Sequence, residues 1–429
     1  MCGKSGKSSQ TKIDNIYIIS MIKKIATIIL GLLVTILITR YLGPTKKGIY
    51  AVVTNYVRIV VTVAMLGQTV IYPYILKSKS ELRNVQITGV IIMIIVEAIV
   101  CFSFLVLKRK LVSVVELSVF LFPFQILQEY ISGVMLVENY QKYSITSIIS
   151  NIIQIVFCSF LFLFTKSNVL LILFTFIVRY IYIIIVCWKD IACYINLKKF
   201  SIKKYINCLN MGIIPMFTAL LGVINYQIDV IMLQWLHIPY NEIGLYSTAV
   251  MVSETVCMLP DAFKEAIASK NTKEDCKNDV VLLSKISLFI AILLIVAFGI
   301  VGKIVLNIAF GMEYVGAYQV VIILLFGNIP MIYFKIIGIY YQTNGRFISQ
   351  FIILSVSAIL NIVLNIILIP KLSIIGAGIA SVGSYMIAGG IYMMLMCVEY
   401  HVNFKEFILV KKRDLTYLKS IKNKLLKRK

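Results

Sequence analysis

The sequence predicts an all-α, polytopic membrane protein of about twelve transmembrane helices, arranged as two parallel six-helix halves. Three observations predict it. Charged residues make up only 14% of the chain and hydrophobic residues 60%, whereas a soluble globular chain carries about 25% charged residues. Apolar runs of about 18 residues or more, long enough to cross a hydrocarbon core, recur along nearly the whole length. One loop pattern also recurs, once after the first apolar run and once after the seventh.

Taken in order, the apolar runs place helices at 15–39, 48–75, 86–107, 111–137, 143–165 and 168–188. The second six fall at 209–235, 243–266, 279–301, 317–341, 347–369 and 374–398. The first run follows a basic, polar stretch, MCGKSGKSSQTKIDN, and no small-residue cleavage site closes it, so a retained helix is expected and not a signal peptide. The eleventh is expected to end at Pro370 and Lys371, because proline cannot continue the hydrogen-bond ladder. Two long connections, 189–208 and 267–278, are lysine-rich. The expected domains are 1–205, 206–400 and a basic tail, 401–429.

Charge sets the orientation. With the N-terminus inside, about 28 of the 42 Lys and Arg fall on its side and about 9 on the other, the asymmetry that orients membrane proteins. Twelve helices bring the chain back to its starting side, so both termini are expected in the cytoplasm and the protein in the cell membrane. The tail places Leu415, Leu418, Ile421 and Leu425 among lysines. It reads either as a surface helix on anionic lipid or as a solvated topology anchor.

The repeated loop is RYLGPTKKGIY after the first helix and QWLHIPYNEIGLY after the seventh. In both, a proline precedes Gly and Tyr: Gly48 and Tyr50, then Gly244 and Tyr246. Six helices separate the copies, which makes the halves parallel repeats about an axis along the membrane normal.

The same residues exclude several classes. Net charge is +23, but the basic residues sit in short loops between apolar runs, so no nucleic-acid partner is expected. Nine cysteines are scattered without CxxC or Cys/His spacing, which provides neither a metal site nor a cofactor framework. The two histidines, His237 and His401, have no nucleophile motif around them. Connections this short leave no room for a catalytic domain, so an enzyme is not expected.

Ionisable residues inside the runs carry the candidate chemistry: Lys23, Lys24, Arg58, Glu97, Arg179, Asp229, Glu254 and Lys335. Each costs about 2.5 kcal/mol or more near the bilayer centre, so each needs a partner or a purpose. In one reading Arg58, Arg179, Lys335 and Lys23 line a hydrated cavity for an anionic substrate, since arginine's planar fork suits phosphate oxygens. Tyr180 and Tyr182, flanking Arg179, would then stack on sugar rings, and Asp229 would join the site. In the other reading they pair internally, for example Arg179 with Glu97 or Arg58 with Glu254. Asp229, Glu254 and Glu97 would alternatively bind cations in an ion-coupled exporter.

Ser357, Asn361 and Asn365 recur every four residues and form a polar ridge on the eleventh helix; Gly376, Ala380, Ser384 and Ala388 form a small-residue ridge on the twelfth. Small ridges let backbones approach, and amides bridge helices in lipid. The simplest reading is a closely packed, amide-bonded hairpin.

These stretches also carry a family resemblance. NIVLNIILIPKLSIIGAGIAS resembles the Asn-x-x-x-Asn, Leu-Ile-Pro, Gly-Ala-x-x-Ala pattern of polysaccharide flippases, through Asn361, Asn365, Pro370, Gly376 and Ala380. TRYLGPTKKGIYAVV is similar to their Arg-x-Leu-Gly-Pro signature, in Arg40, Gly43 and Pro44. YQIDVIMLQWLHIPYNEIGLYSTA resembles their seventh-to-eighth helix segment through Asp229, Gly244 and Tyr246, although Val230 stands where many members carry a basic residue. The resemblance implies two six-helix bundles around a central cavity, working by alternating access. It implies movement of a polyprenyl-pyrophosphate-linked oligosaccharide to the outer leaflet for capsule, O-antigen-like or other surface polysaccharide. The implied partners are that lipid-linked oligosaccharide, membrane lipids and other polysaccharide-assembly proteins. The competing reading within the same superfamily is an ion-coupled exporter of drugs and cations.

Overall fold

The computed structural model describes residues 5–107, 119, 121–258, 260–261, 263–264, 267, 276–344 and 346–408. Among them all regular structure is helical: α1 (Ser5–Ala64), α2 (Gln68–Ser78), α3 (Arg83–Leu107), α4 (Leu121–Glu138), α5 (Tyr140–Phe164) and α6 (Val169–Ala192) come first. Then follow α7 (Ile202–Trp235), α8 (Tyr240–Glu254), α9 (Lys277–Phe310), α10 (Tyr318–Thr343), α11 (Phe347–Tyr400) and the short α12 (Lys405–Ile408). Helices are the expected solution, since a lone segment in hydrocarbon must satisfy its own backbone.

Eight of the described runs are long and apolar enough to cross a membrane. Two of them, Ile29–Lys77 and Ile348–Tyr400, each hold two of the expected helices. The expected fourth and eighth helices are described as Leu121–Glu138 and Tyr240–Glu254.

The breaks inside the long runs are single residues. In α1 the break is Gly43 (φ 68, ψ 169), directly before Pro44. Glycine meets no steric penalty at that φ. In α11 it is Ser373 (φ 49, ψ −132). Pro370 therefore does not end the eleventh helix as its chemistry suggested; helical conformation passes through it and stops three residues later. The Ser373 hydroxyl donates to the Glu242 carboxylate, a tertiary contact that fixes the turn there. The expected second helix, 48–75, is also interrupted, at Leu66 and Gly67, both with positive φ. A Cβ at Gly67 would strike the Gly212 carbonyl, so the interruption lies where α7 approaches the backbone.

The chain forms two compact units, Met1–Val223 and Ile224–Lys429, with the boundary inside α7. Each unit buries amides and other polar side chains within an apolar core and leaves large apolar side chains exposed. In the first, Gln68, Gln86, Asn151 and Gln154 are buried while Ile99, Val100, Leu163 and Phe164 are exposed. In the second, Asn225, Asp229, Asn328, Asn361 and Asn365 are buried while Ile300, Ile359 and Val398 are exposed. An apolar exterior with amides held inside is what lipid demands, where exposed apolar faces cost nothing and buried amides gain partners.

The small-residue ridge packs as expected: Gly376 is buried, and Ala380, Ser384 and Ala388 are fully so. A Cβ at Gly376 would strike the Leu368 carbonyl, and one at Gly389 the Pro330 carbonyl of α10. Gly389→Val is thus expected to cost about 1–3 kcal/mol or more through overpacking. A thermal midpoint of the purified variant equal to wild type would contradict this close approach.

Ion pairs tie helix ends. Arg83 pairs with Glu138, joining α3 to α4. Lys142 at the start of α5 meets Asp190 at the end of α6 at 2.5 Å. Arg346, just before α11, meets Glu399 near its end, also at 2.5 Å. The last two recur at matching places in the two sequence halves, so a structural device repeats along with the loop motif.

Candidate functional site

The first unit brings Lys47, Arg58 and Arg179 together with tyrosines. After the Gly43 break, α1 carries Lys47, Tyr50, Thr54 and Arg58 at spacings of three and four, hence on one face. Lys47 is buried, with its Nζ 4.9 Å from the centroid of the Tyr50 ring. On α6, Phe176 and Tyr180 continue the aromatic set: ring centroids lie 6.2 Å apart for Tyr50–Phe176 and 6.1 Å for Phe176–Tyr180.

Arg179 Nη1 donates to Gln154 Oε1 at 3.0 Å. Gln154 is completely buried on α5 and holds one edge of the fork. The Arg179 Nε is buried without a partner in the described structure. Arg58 is exposed; the Thr62 hydroxyl donates to its backbone carbonyl at 2.8 Å, and among the described residues its guanidinium has no hydrogen-bond or ion-pair partner. Both arginines act electrostatically on Tyr50 and Tyr180, and Arg58 also on Glu129. The structure thus brings Arg58 and Arg179 into one neighbourhood, with donor edges to spare.

The internal pairing of Arg179 with Glu97 is not found; its partner is Gln154. Tyr182 lies half-buried on a different face of α6, and it is Tyr180 that joins the arginines, its hydroxyl donating to Gln125 Oε1 at 3.4 Å. Gln154, Gln125 and Tyr50 had not been singled out as site residues. An amide inside an apolar helix is the same signal that marked Asn361, and it was available at Gln154. The Lys23 side chain lies outside the described residues. Arg40 is exposed beside the Gly43–Pro44 break. Next to it, the Tyr41 hydroxyl donates to the Lys166 carbonyl at 2.7 Å, clasping the break to the α5–α6 loop.

In the second unit, Lys335 Nζ meets Asp261 Oδ2 at 2.8 Å and lies 5.9 Å from the Tyr226 ring centroid. Asp229 is 1% exposed, at the centre of the asparagine ridge. Its Oδ1 accepts from Asn365 Nδ2 at 2.6 Å; its Oδ2 accepts from the Tyr246 hydroxyl at 2.8 Å and from Ser381 at 2.6 Å. Asn365 also donates to Asn361 Oδ1 at 2.9 Å, and Asn361 to Ser384 at 3.3 Å. Ser357 extends the network, donating to Asn225 Oδ1 at 3.1 Å. Asp229 therefore joins α7, α8 and both parts of α11 through neutral donors.

Comparison with known proteins places these features in a family. The family described as "Polysaccharide biosynthesis protein" matches residues 13–260, more than half of the chain. No curated protein matches the chain by sequence. Among solved structures, the lipid II flippase MurJ in an inward closed conformation superposes with a TM-score of 0.70 at 17% identity, covering 91% of this chain and 89% of that one. An inward-facing multidrug resistance MATE family transporter of the MOP superfamily gives 0.66 at 12% identity, covering 87% and 94%. A MOP superfamily transporter from Pyrococcus furiosus, described by the reverse polarity of its binding pocket, gives 0.59 at 13% identity, covering 89% and 94%. The fold is that of these transporters, and the chain belongs to the polysaccharide biosynthesis protein family.

Proposed function

We propose that this chain is a membrane flippase carrying polyprenyl-pyrophosphate-linked oligosaccharide repeat units from the cytoplasmic to the outer leaflet, by alternating access, for cell-surface polysaccharide assembly. The observation that carries the reading is the arginine neighbourhood of the first unit. A guanidinium with free edges suits pyrophosphate oxygens, and Tyr50 and Tyr180 offer ring faces for sugars. Family membership supports the polysaccharide, and the fold shared with a lipid II flippase supports a lipid-linked substrate. Only the head group needs a polar route, since the prenyl chain is at home in hydrocarbon.

The protein is proposed to sit in the cytoplasmic membrane with both termini inside, alongside other polysaccharide-assembly proteins. In that topology the pairs Arg83–Glu138, Lys142–Asp190, Lys335–Asp261 and Arg346–Glu399 all fall at cytoplasmic helix ends. There the long basic stems reach the interface.

The second reading is an ion-coupled exporter of drugs and cations. It is supported by the multidrug relatives of the fold and by Glu97, whose buried Oε2 has no partner in the described structure. The superfamily member described by reversed pocket polarity makes site charge the property that separates the two readings. Proteoliposomes decide between them. A pyrophosphate-linked oligosaccharide lipid should gain access to a membrane-impermeant lectin in the opposite leaflet, with no efflux of a cationic dye. Dye efflux without lipid transfer would replace the flippase with the exporter.

A further inference from the structure

A groove of about 660 Å³ lies along α9 and α10 in the second unit, within the roughly 300–1,000 Å³ typical of ligand sites. Ile295 and Val296 of α9, Ile322 and Phe326 of α10 and Ile375 of α11 line it with hydrocarbon. Gly299 lies among them, and a Cβ added there would meet nothing within 4 Å, so the missing side chain leaves that level open. The Tyr318 hydroxyl donates to the Gly299 carbonyl at 2.7 Å and fixes the ring at the groove. Lys303, one helical turn beyond Gly299, is exposed, with its Nζ 5.4 Å from the Tyr318 ring centroid. A hydrocarbon trough thus ends at a cation. In the topology proposed above α9 runs outward, which puts Lys303 at the level of the outer head groups.

We infer that this groove docks the isoprenyl chain of a polyprenyl phosphate in the outer leaflet, with the Lys303 ammonium against the phosphate. The trough gives one chain a direction, tail toward the bilayer interior and phosphate at the surface. A single-chain anionic lipid satisfies both ends at once, whereas a phospholipid would leave its second chain outside. The identity of the lipid rests on the flippase reading; the groove and its cation do not.

The test is photolabelling of the full-length protein in zwitterionic phospholipid vesicles, using a polyprenyl monophosphate with a photoreactive group in its chain. Labelled peptides should fall within residues 295–326. Unlabelled polyprenyl monophosphate should compete, and phosphatidic acid, which presents the same phosphate on two acyl chains, should not. Gly299→Phe places a ring at the level where an added Cβ meets nothing within 4 Å, and should lower labelling roughly tenfold. Lys303→Glu should lower it roughly fivefold, the scale of one basic side chain beside an anionic lipid head. Equal competition by phosphatidic acid, labelling confined to other segments, or unchanged labelling of Gly299→Phe would overturn the inference. The double variant Arg58→Ala/Arg179→Ala, which tests the flippase reading, should be labelled as wild type is. The two proposals therefore fail separately.

Discussion

Arg58→Ala/Arg179→Ala should lower transfer of the lipid-linked oligosaccharide by roughly 10²–10⁴-fold, because two hydrogen bonds to a charged group at about 1.5–3 kcal/mol each would be lost. Arg58→Ala is the cleaner single variant. Its side chain is exposed, with no hydrogen-bond or ion-pair partner among the described residues to be stranded, so protein level and thermal midpoint should stay near wild type. Removing Arg179 also strands the buried Gln154 Oε1, at a cost of about 1–3 kcal/mol in stability. Arg179→Lys keeps the charge but loses the planar fork, and should recover only part of the activity. The measurement is lectin access to the glycan in vesicles at matched protein amounts. Wild-type transfer by the double variant would remove the arginines from the mechanism.

The largest stability effect is expected at Asp229. Asp229→Leu leaves Asn365, Tyr246 and Ser381 without their shared acceptor in a fully buried place. Two magnitudes compete here: about 1–3 kcal/mol for each unsatisfied buried group, against about 0.6 kcal/mol for an average interhelical bond measured in a membrane protein. Each donor keeps a second contact, Asn365 with Asn361 Oδ1, Ser381 with the Ala377 carbonyl and Tyr246 with the Ser381 hydroxyl, so three bonds are lost but no group is wholly orphaned. The loss should therefore reach about 3 kcal/mol, about 1 kcal/mol for each bond. Asp229→Asn keeps the shape and one carbonyl, and the two hydroxyls can turn to accept, so it should cost under about 1 kcal/mol. Thermal unfolding in detergent reads both. A stable Asp229→Leu would mean that the network does not hold these helices together.

Much of the fold was legible because hydrocarbon leaves so few solutions. Apolar run length located the helices and left 40–47 as the first connection, where the break falls at Gly43, whose backbone accepts a positive φ without penalty. Ser373 was not legible. Serine has no preference for that backbone region, and the Glu242 carboxylate that holds it is 131 residues away. The break at Leu66 and Gly67 was hidden for the same reason, being set where Gly212 approaches.

The site was legible as a set of costly charges but not as pairings. Arg179 stood out in an apolar helix, yet its partner proved to be Gln154, an amide, where a carboxylate had been considered. Asn361 and Asn365 were readable as a ridge from their spacing alone. Asp229 belongs to that same ridge in space, but 136 residues separate it from Asn365, and a single sequence carries no signal of that contact.

The most direct test of the central claim is mass spectrometry of prenyl-linked glycans in cells depleted of this protein, with surface polysaccharide measured in parallel. The flippase account predicts a build-up of completed lipid-linked repeat units together with loss of surface polymer. No build-up and an unchanged surface would contradict it.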